Sequence, residues 1–151
     1  MKHLVKILLE TNPTIGFVIA RSTLGLVMFP HGAQKLLGLF DGNGYSATMD
    51  FFTTQMGLPS LVAFTIIIIE FFGSIALILG FISRFWALSF AGMFVGIIYT
   101  TQWEHGFFMN WFGNQAGEGY EYSLLIIGLA LSILVNGSGK WSMDSLISKK
   151  Q

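Results

Sequence analysis

Residues 61–82 read LVAFTIIIIEFFGSIALILGFI, an apolar run interrupted by a single charge, Glu70. Roughly 20 consecutive apolar residues are the length of a membrane-spanning helix. A carboxylate near the middle of such a helix costs about 3 kcal/mol on insertion scales, so it has to face a partner or a wet cavity rather than lipid. One stretch therefore says both that the chain lives in a membrane and that the interior of its bundle is not purely apolar.

The rest of the composition agrees. The chain has 151 residues, 53% hydrophobic and only 11% charged, whereas soluble domains carry about 25% charged residues. That is too little charge to coat a soluble protein of this size. The net charge of +0 offers no basic surface, which excludes nucleic acid as a partner. There is no cysteine, which excludes disulfides, thiolate metal sites and any dithiol electron relay within the chain.

Four apolar segments are predicted to span: about 15–39, 59–81, 84–103 and 121–135. Asn12 and Pro13 start the first, as cap and first-turn proline. The fold class is all-α, a membrane four-helix bundle with four transmembrane helices. Residues 1–14 form an interfacial N-terminal segment with Lys2 and Lys6 beside the lipid head groups. Residues 15–136 form the membrane domain, and residues 137–151 a cytoplasmic C-terminal tail. Between the first two spans, Asp41–Gly44 is a turn cluster, and residues 46–56 read as a short surface helix or a loop. With four spans both termini share one side. That side carries Lys2, Lys6, Arg84, Lys140, Lys149 and Lys150, against Lys35 alone on the other, so both termini are expected in the cytoplasm.

Small residues indicate the packing faces, because helices in lipid approach closely where side chains are short. Gly92 and Gly96 with Ser89 mark such a face on the third span. Ala63, Gly73 and Ser74 share a face with Glu70 on the second, and Arg21, Gly25, Met28 and Lys35 form one stripe on the first. Arg21 and Glu70 have an axial offset of order 5 Å at 1.5 Å per residue. They are read as a buried structural ion pair, ahead of the alternative of a proton or ligand site.

A second polar group gathers at the opposite end. His31 and Lys35 lie one turn apart at the end of the first span, next to Pro30. Glu104 and His105 end the third span, and Glu118 and Glu121 open the fourth. Antiparallel topology brings these ends to one side, where the group is either a ligand site or an exposed polar rim. A quinone head group needs a donor to its carbonyl oxygen, a proton-exchanging group and apolar walls. His31, His105 and Glu121 are the candidates for proton chemistry, with Lys35, Glu118 and Tyr122 as binding residues. A b-type haem would use His31 and His105 as axial ligands and is the weaker alternative. No i,i+4 histidine pair exists, so no metal site is assigned. A pathway for a small solute lacks the broken helices or inverted repeats of secondary transporters.

RSTLGLVMFPHGAQKLLG in the first span, EFFGSIALILGFISR from Glu70 to Arg84, EHGFFMNW, GYEYSLLI and GSGKWSMD occur in this order. In that order and spacing they resemble the DoxX family of small bacterial membrane proteins, over about Arg21 to Asp144. The resemblance implies a four-helix bundle in the bacterial inner (cytoplasmic) membrane. It also implies a redox connection, since one branch includes subunits of a thiosulfate:quinone oxidoreductase and other members are linked to oxidative-stress complexes. Carried over by motif, the residues of interest are Arg21, His31, Gly32, Lys35, Glu70, Gly80, Arg84, His105, Glu121, Tyr122 and Asp144. The expected role is a redox-associated or quinone-interacting component working with redox partner subunits in the lipid bilayer. The rival is a non-catalytic membrane scaffold or small-solute carrier.

Overall fold

The computed structural model describes residues 7–148 and contains helices but no strand among them. Helix α1 is Ile15–Leu37, opening after Thr14 in extended conformation and closing at Gly38, whose φ of 70° lets its N–H turn back to the carbonyl of Ala33. Helix α2 is the short surface helix Gly44–Asp50, continued by a wide turn over Phe51–Gln55. Helix α3 is Ser60–Leu79 and α4 is Ser83–His105. Helix α5 is Glu121–Asn136, and α6 is the short Met143–Ser148. Three of these are long and apolar enough to cross a membrane, and α5 is a shorter apolar helix. Sixteen residues of α5 rise about 24 Å, less than the roughly 30 Å hydrocarbon core. The exposed aromatics Trp103, Phe108, Trp111 and Phe112 lie in the connector beside its start, as an interfacial belt requires.

The helices form an antiparallel bundle whose main contacts are α1 with α3, α4 with α5, and α1 with α5. The core between them is Leu24, Met28, Leu77, Phe90, Phe94, Ile126 and Ile133. Helix α1 can approach α3 because Gly32 sits on the crossing: an added Cβ there would come within 2.5 Å of the Glu70 carbonyl carbon and the Phe71 nitrogen. A second apolar cluster, Phe52, Ala63 and Ile67, fastens α2 to the first half of α3.

Polar groups, not apolar packing, fasten the end that carries the termini. Arg21 is 2% exposed. Its Nε donates to the Ser138 carbonyl (2.8 Å), Nη1 to Leu77 (2.8 Å) and also to Ile78, and Nη2 to Trp141 (2.9 Å). It thus caps carbonyls at the C-terminus of α3, where a cation is favoured by the helix dipole. Asp144 is the complement. Its carboxylate accepts from the backbone N–H of Ile82 (2.7 Å) and Ser83 (3.0 Å), at the start of α4, and from the Ser138 hydroxyl. Arg84 caps α5 through the Leu134 carbonyl at 2.6 Å.

Two expectations change. Arg21 does not pair with Glu70, because its donors are taken up by the Leu77 and Ile78 carbonyls, about two turns of α3 beyond Glu70, and by those of Ser138 and Trp141. Residues 137–148 are not a free tail: Gly137, Ser138, Gly139, Ser142 and Asp144 are buried and close the bundle. The N-terminal strip crosses the same end, with Asn12 N–H donating to Asn136 (2.9 Å) and Gly139 N–H to the Thr11 hydroxyl (2.6 Å). The placement of Lys2 and Lys6 at the lipid head groups, and that of residues 149–151, lie outside the described residues.

Replacing Arg21 by Met removes the donors from four carbonyls, two of them in buried hydrogen bonds. Thermal unfolding followed by circular dichroism in mild detergent should show a loss of about 3 kcal/mol, the scale of charged hydrogen bonds left unmade. Asp144→Asn, which keeps an acceptor but loses the charge at the start of α4, should cost less than Arg21→Met.

Candidate functional site

Glu70 lies inside a wide turn of α3, Ile69–Gly73, where the helix relaxes from its regular spacing. Such single wide turns re-aim side chains and recur at functional sites. The turn directs Glu70 toward α1, and there it meets Lys35: Nζ lies 2.6 Å from Oε2. Oε2 is fully enclosed and, among the described residues, has no well-oriented donor beyond the Lys35 ammonium beside it. The contact is therefore an ion pair by proximity, with the carboxylate short of the donors that a buried anion normally collects. The Lys35 side chain keeps 26% of its surface accessible, against 6% for Glu70.

What it is accessible to is a groove of about 580 Å³. Its walls are the faces of α3 bearing Leu61, Thr65 and Ile69 and of α4 bearing Gly92, Gly96 and Thr100, with Lys35 and Glu70 at its floor. Phe52, Met56 and Leu58, at and just after the end of α2, close its far end. The threonines add little polarity, since the Thr65 and Thr100 hydroxyls donate to carbonyls one turn back in their own helices. Nearly apolar walls over one charged pair are the usual character of a small-molecule site.

The groove exists because α3 and α4 separate. Near their short connection they touch, with the Trp86 ring against Gly73. Further along they diverge, and Gly92 and Gly96 have nothing within 4 Å of where a Cβ would stand. These glycines were expected to mark a close helix contact, and instead both are exposed on the groove wall. The signal that marked them, small residues four apart, was sound as a statement about one face. What it could not say was whether a helix or a space lay opposite.

The polar group expected at the end opposite the termini is not a single site. His31 is exposed on α1. His105 packs its ring against Gly117 in the α4–α5 connector. Glu118 is exposed and accepts the Asn110 N–H at 2.9 Å. Glu121 is half-buried at the start of α5, where its backbone N–H donates to the Phe107 carbonyl (2.9 Å). Tyr122 packs edge-on against Phe94, with ring centroids 6.4 Å apart. Apart from Lys35, none of these residues lines the groove. The physical reason is that the connector bonds to itself and to α5, through Tyr120 N–H to the Gly106 carbonyl (3.1 Å) and Glu121 N–H to the Phe107 carbonyl (2.9 Å), while α1 packs on α3. A haem held by both histidines needs their rings on either side of one iron. The environments of His31 and His105 do not fit that arrangement. Among the described residues no group of three His, Asp or Glu could hold a metal ion.

The sequence pattern of the DoxX family matches residues 16–103. The chain belongs to the DoxX family. Among its relatives is the Bacillus subtilis (strain 168) protein "Putative oxidoreductase CatD", 29% identical over 135 residues, covering 89% of each chain. Another is "Inner membrane protein YqjF" of Escherichia coli (strain K12), 27% identical over 136 residues, covering 90% of this chain and 95% of that one. No solved structure matches the chain significantly.

The two halves of the ion pair differ in what each can do alone. Lys35, partly accessible, is able to find water when Glu70→Gln removes its partner. Glu70 has no such outlet. Lys35→Met should therefore destabilise by about 3 kcal/mol, the lower range for stranding a buried charge, and Glu70→Gln by distinctly less. Equal losses in thermal unfolding would mean that the pair is screened alike on both sides.

Proposed function

We propose that this DoxX-family protein is a quinone-interacting, redox-associated component of a membrane complex in the bacterial inner membrane. In this reading the groove between α3 and α4 receives the quinone head group. The observation that carries the reading is the under-bonded Lys35–Glu70 pair at the floor of an apolar groove within the spanning segments. If the polar residues merely satisfied one another, as in a scaffold, Glu70 Oε2 would collect further donors; among the described residues the Lys35 ammonium is the one beside it.

The chemistry asked of the chain is modest. A quinone bound there would supply a two-electron, two-proton couple. The Lys35 ammonium is placed to donate a hydrogen bond to a carbonyl oxygen, and Glu70 to exchange a proton with it. The groove walls, from Leu61 to Ile97, would hold the ring by apolar contact and keep bulk water away. Electrons would come from a partner redox subunit, since the chain has no cysteine to relay them. The name of the CatD relative supports a redox role, and that of YqjF supports the inner membrane. His31, His105 and Glu121 have no part in this reading.

Gly96→Leu tests it without touching the pair. The new side chain enters open space, so the fold should hold or gain the few tenths of a kcal/mol that leaving glycine brings in a helix. Protein purified in mild detergent should release quinone on solvent extraction, near one per chain by mass spectrometry, and Gly96→Leu should release several-fold less. Wild-type protein that carries no quinone and does not take up added quinone would overturn the reading.

A further inference from the structure

A second cavity of about 510 Å³ lies on the other side of Lys35. Gln34, Asp41, Asn43, Thr48 and Asp50 line it, and it is built by the α1–α2 connector and α2 at the end away from the termini. Its lining is about half polar, where the groove's is mostly apolar. The two cavities have Lys35 and Phe52 in common. Lys35 therefore stands in a partition with a wet vestibule on one face and a lipid-side groove on the other, its Nζ against a carboxylate short of donors.

We propose that this vestibule and Lys35 form a proton route, connecting Glu70 to the aqueous compartment opposite the termini. The inference rests on the groove reading above and adds a side to it. The step is a simple exchange. An N–H bond of the Lys35 ammonium breaks as an O–H bond forms on Glu70, leaving a neutral amine and a neutral acid. The amine then takes a proton from hydronium reaching the vestibule, leaving water and restoring the ammonium. The 2.6 Å separation of Nζ and Oε2 places the two groups at proton-transfer distance. Phe52, 8% exposed, lines both cavities beside Lys35.

The surroundings leave few competitors for this proton. Asp41 and Asp50 line the vestibule. Helix α4 presents Thr100 and Thr101 to the groove and no ionisable side chain. On the core side, the Tyr122 ring of α5 packs against Phe94. His31, the other titratable group of α1 near this end, is exposed and lines neither cavity. At the termini end, Arg21 and Asp144 are engaged in backbone caps.

The test uses the full chain in oriented vesicles with the pH of each compartment set separately. The probe is dicyclohexylcarbodiimide, which reaches buried carboxyls through lipid and reacts with the protonated acid: the carboxyl oxygen bonds to the carbodiimide carbon and the proton passes to nitrogen. Labelled Glu70 is counted by peptide mass spectrometry, with Glu70→Gln as the blank. Labelling should rise several-fold when the compartment opposite the termini is acidified, and stay level when only the termini side is acidified. Ala47→Trp, which fills the vestibule from an exposed position, should blunt that response. Lys35→Met should abolish the dependence on the pH of the compartment opposite the termini, since the link between vestibule and Glu70 is removed. Labelling that follows the termini-side pH, or neither side, would overturn the route and leave the groove reading standing. No labelling of Glu70 under any condition would overturn the groove's access from lipid, and the route with it.

Discussion

A carboxylate in the middle of a membrane-spanning helix has to be neutralised by something that reaches it, and that constraint organises the half of the bundle away from the termini. Glu70 cannot be turned to lipid without a cost of about 3 kcal/mol. The helix yields a wide turn at Ile69–Gly73, α1 comes in close over Gly32, and Lys35 is delivered to within 2.6 Å of it. The pair neutralises the charge but leaves the carboxylate under-bonded. A residue that satisfies the membrane's electrostatics without exhausting its own hydrogen-bonding capacity is available for chemistry.

At the termini end the same constraint has a different solution. Arg21 and Asp144 spend their capacity on backbone groups, Arg21 on the carbonyls that end α3 and Asp144 on the N–H groups that begin α4. This pins the turn between the two helices. With that point held, α3 and α4 are free to separate toward the other end, and the gap between them is the groove. The clasp and the cavity are thus two consequences of one connection, and the segment after α5 that looked like a tail supplies the pins.

Much of the architecture was legible from residue patterns. The four apolar runs, the short helix after the Asp41–Gly44 turn, and the buried faces through Ala63, Ser74, Gly25 and Met28 all correspond to the structure within a few residues. The polar partners were not legible. Axial offset put Arg21 within reach of Glu70, but a guanidinium with five donors is better served by several carbonyls than by one carboxylate. Antiparallel topology put His31, His105 and Glu121 at one end, but an end of a bundle is broad, and the α4–α5 connector folds on itself. The glycines of α4 were correctly grouped on one face and given the wrong neighbour.

The sequence by itself determined the medium, the number and polarity of the helices, the family, and the fact that a buried charge needed compensation. These follow from hydropathy, charge count and helical period, which are properties of the chain read in order. Only the tertiary structure decided which cation meets Glu70 and where empty space remains. Both depend on the angle at which α3 and α4 leave their turn and on side-chain reach across helices far apart in sequence. Glu70 announced itself in the sequence as an expense. Packing made it the floor of a groove.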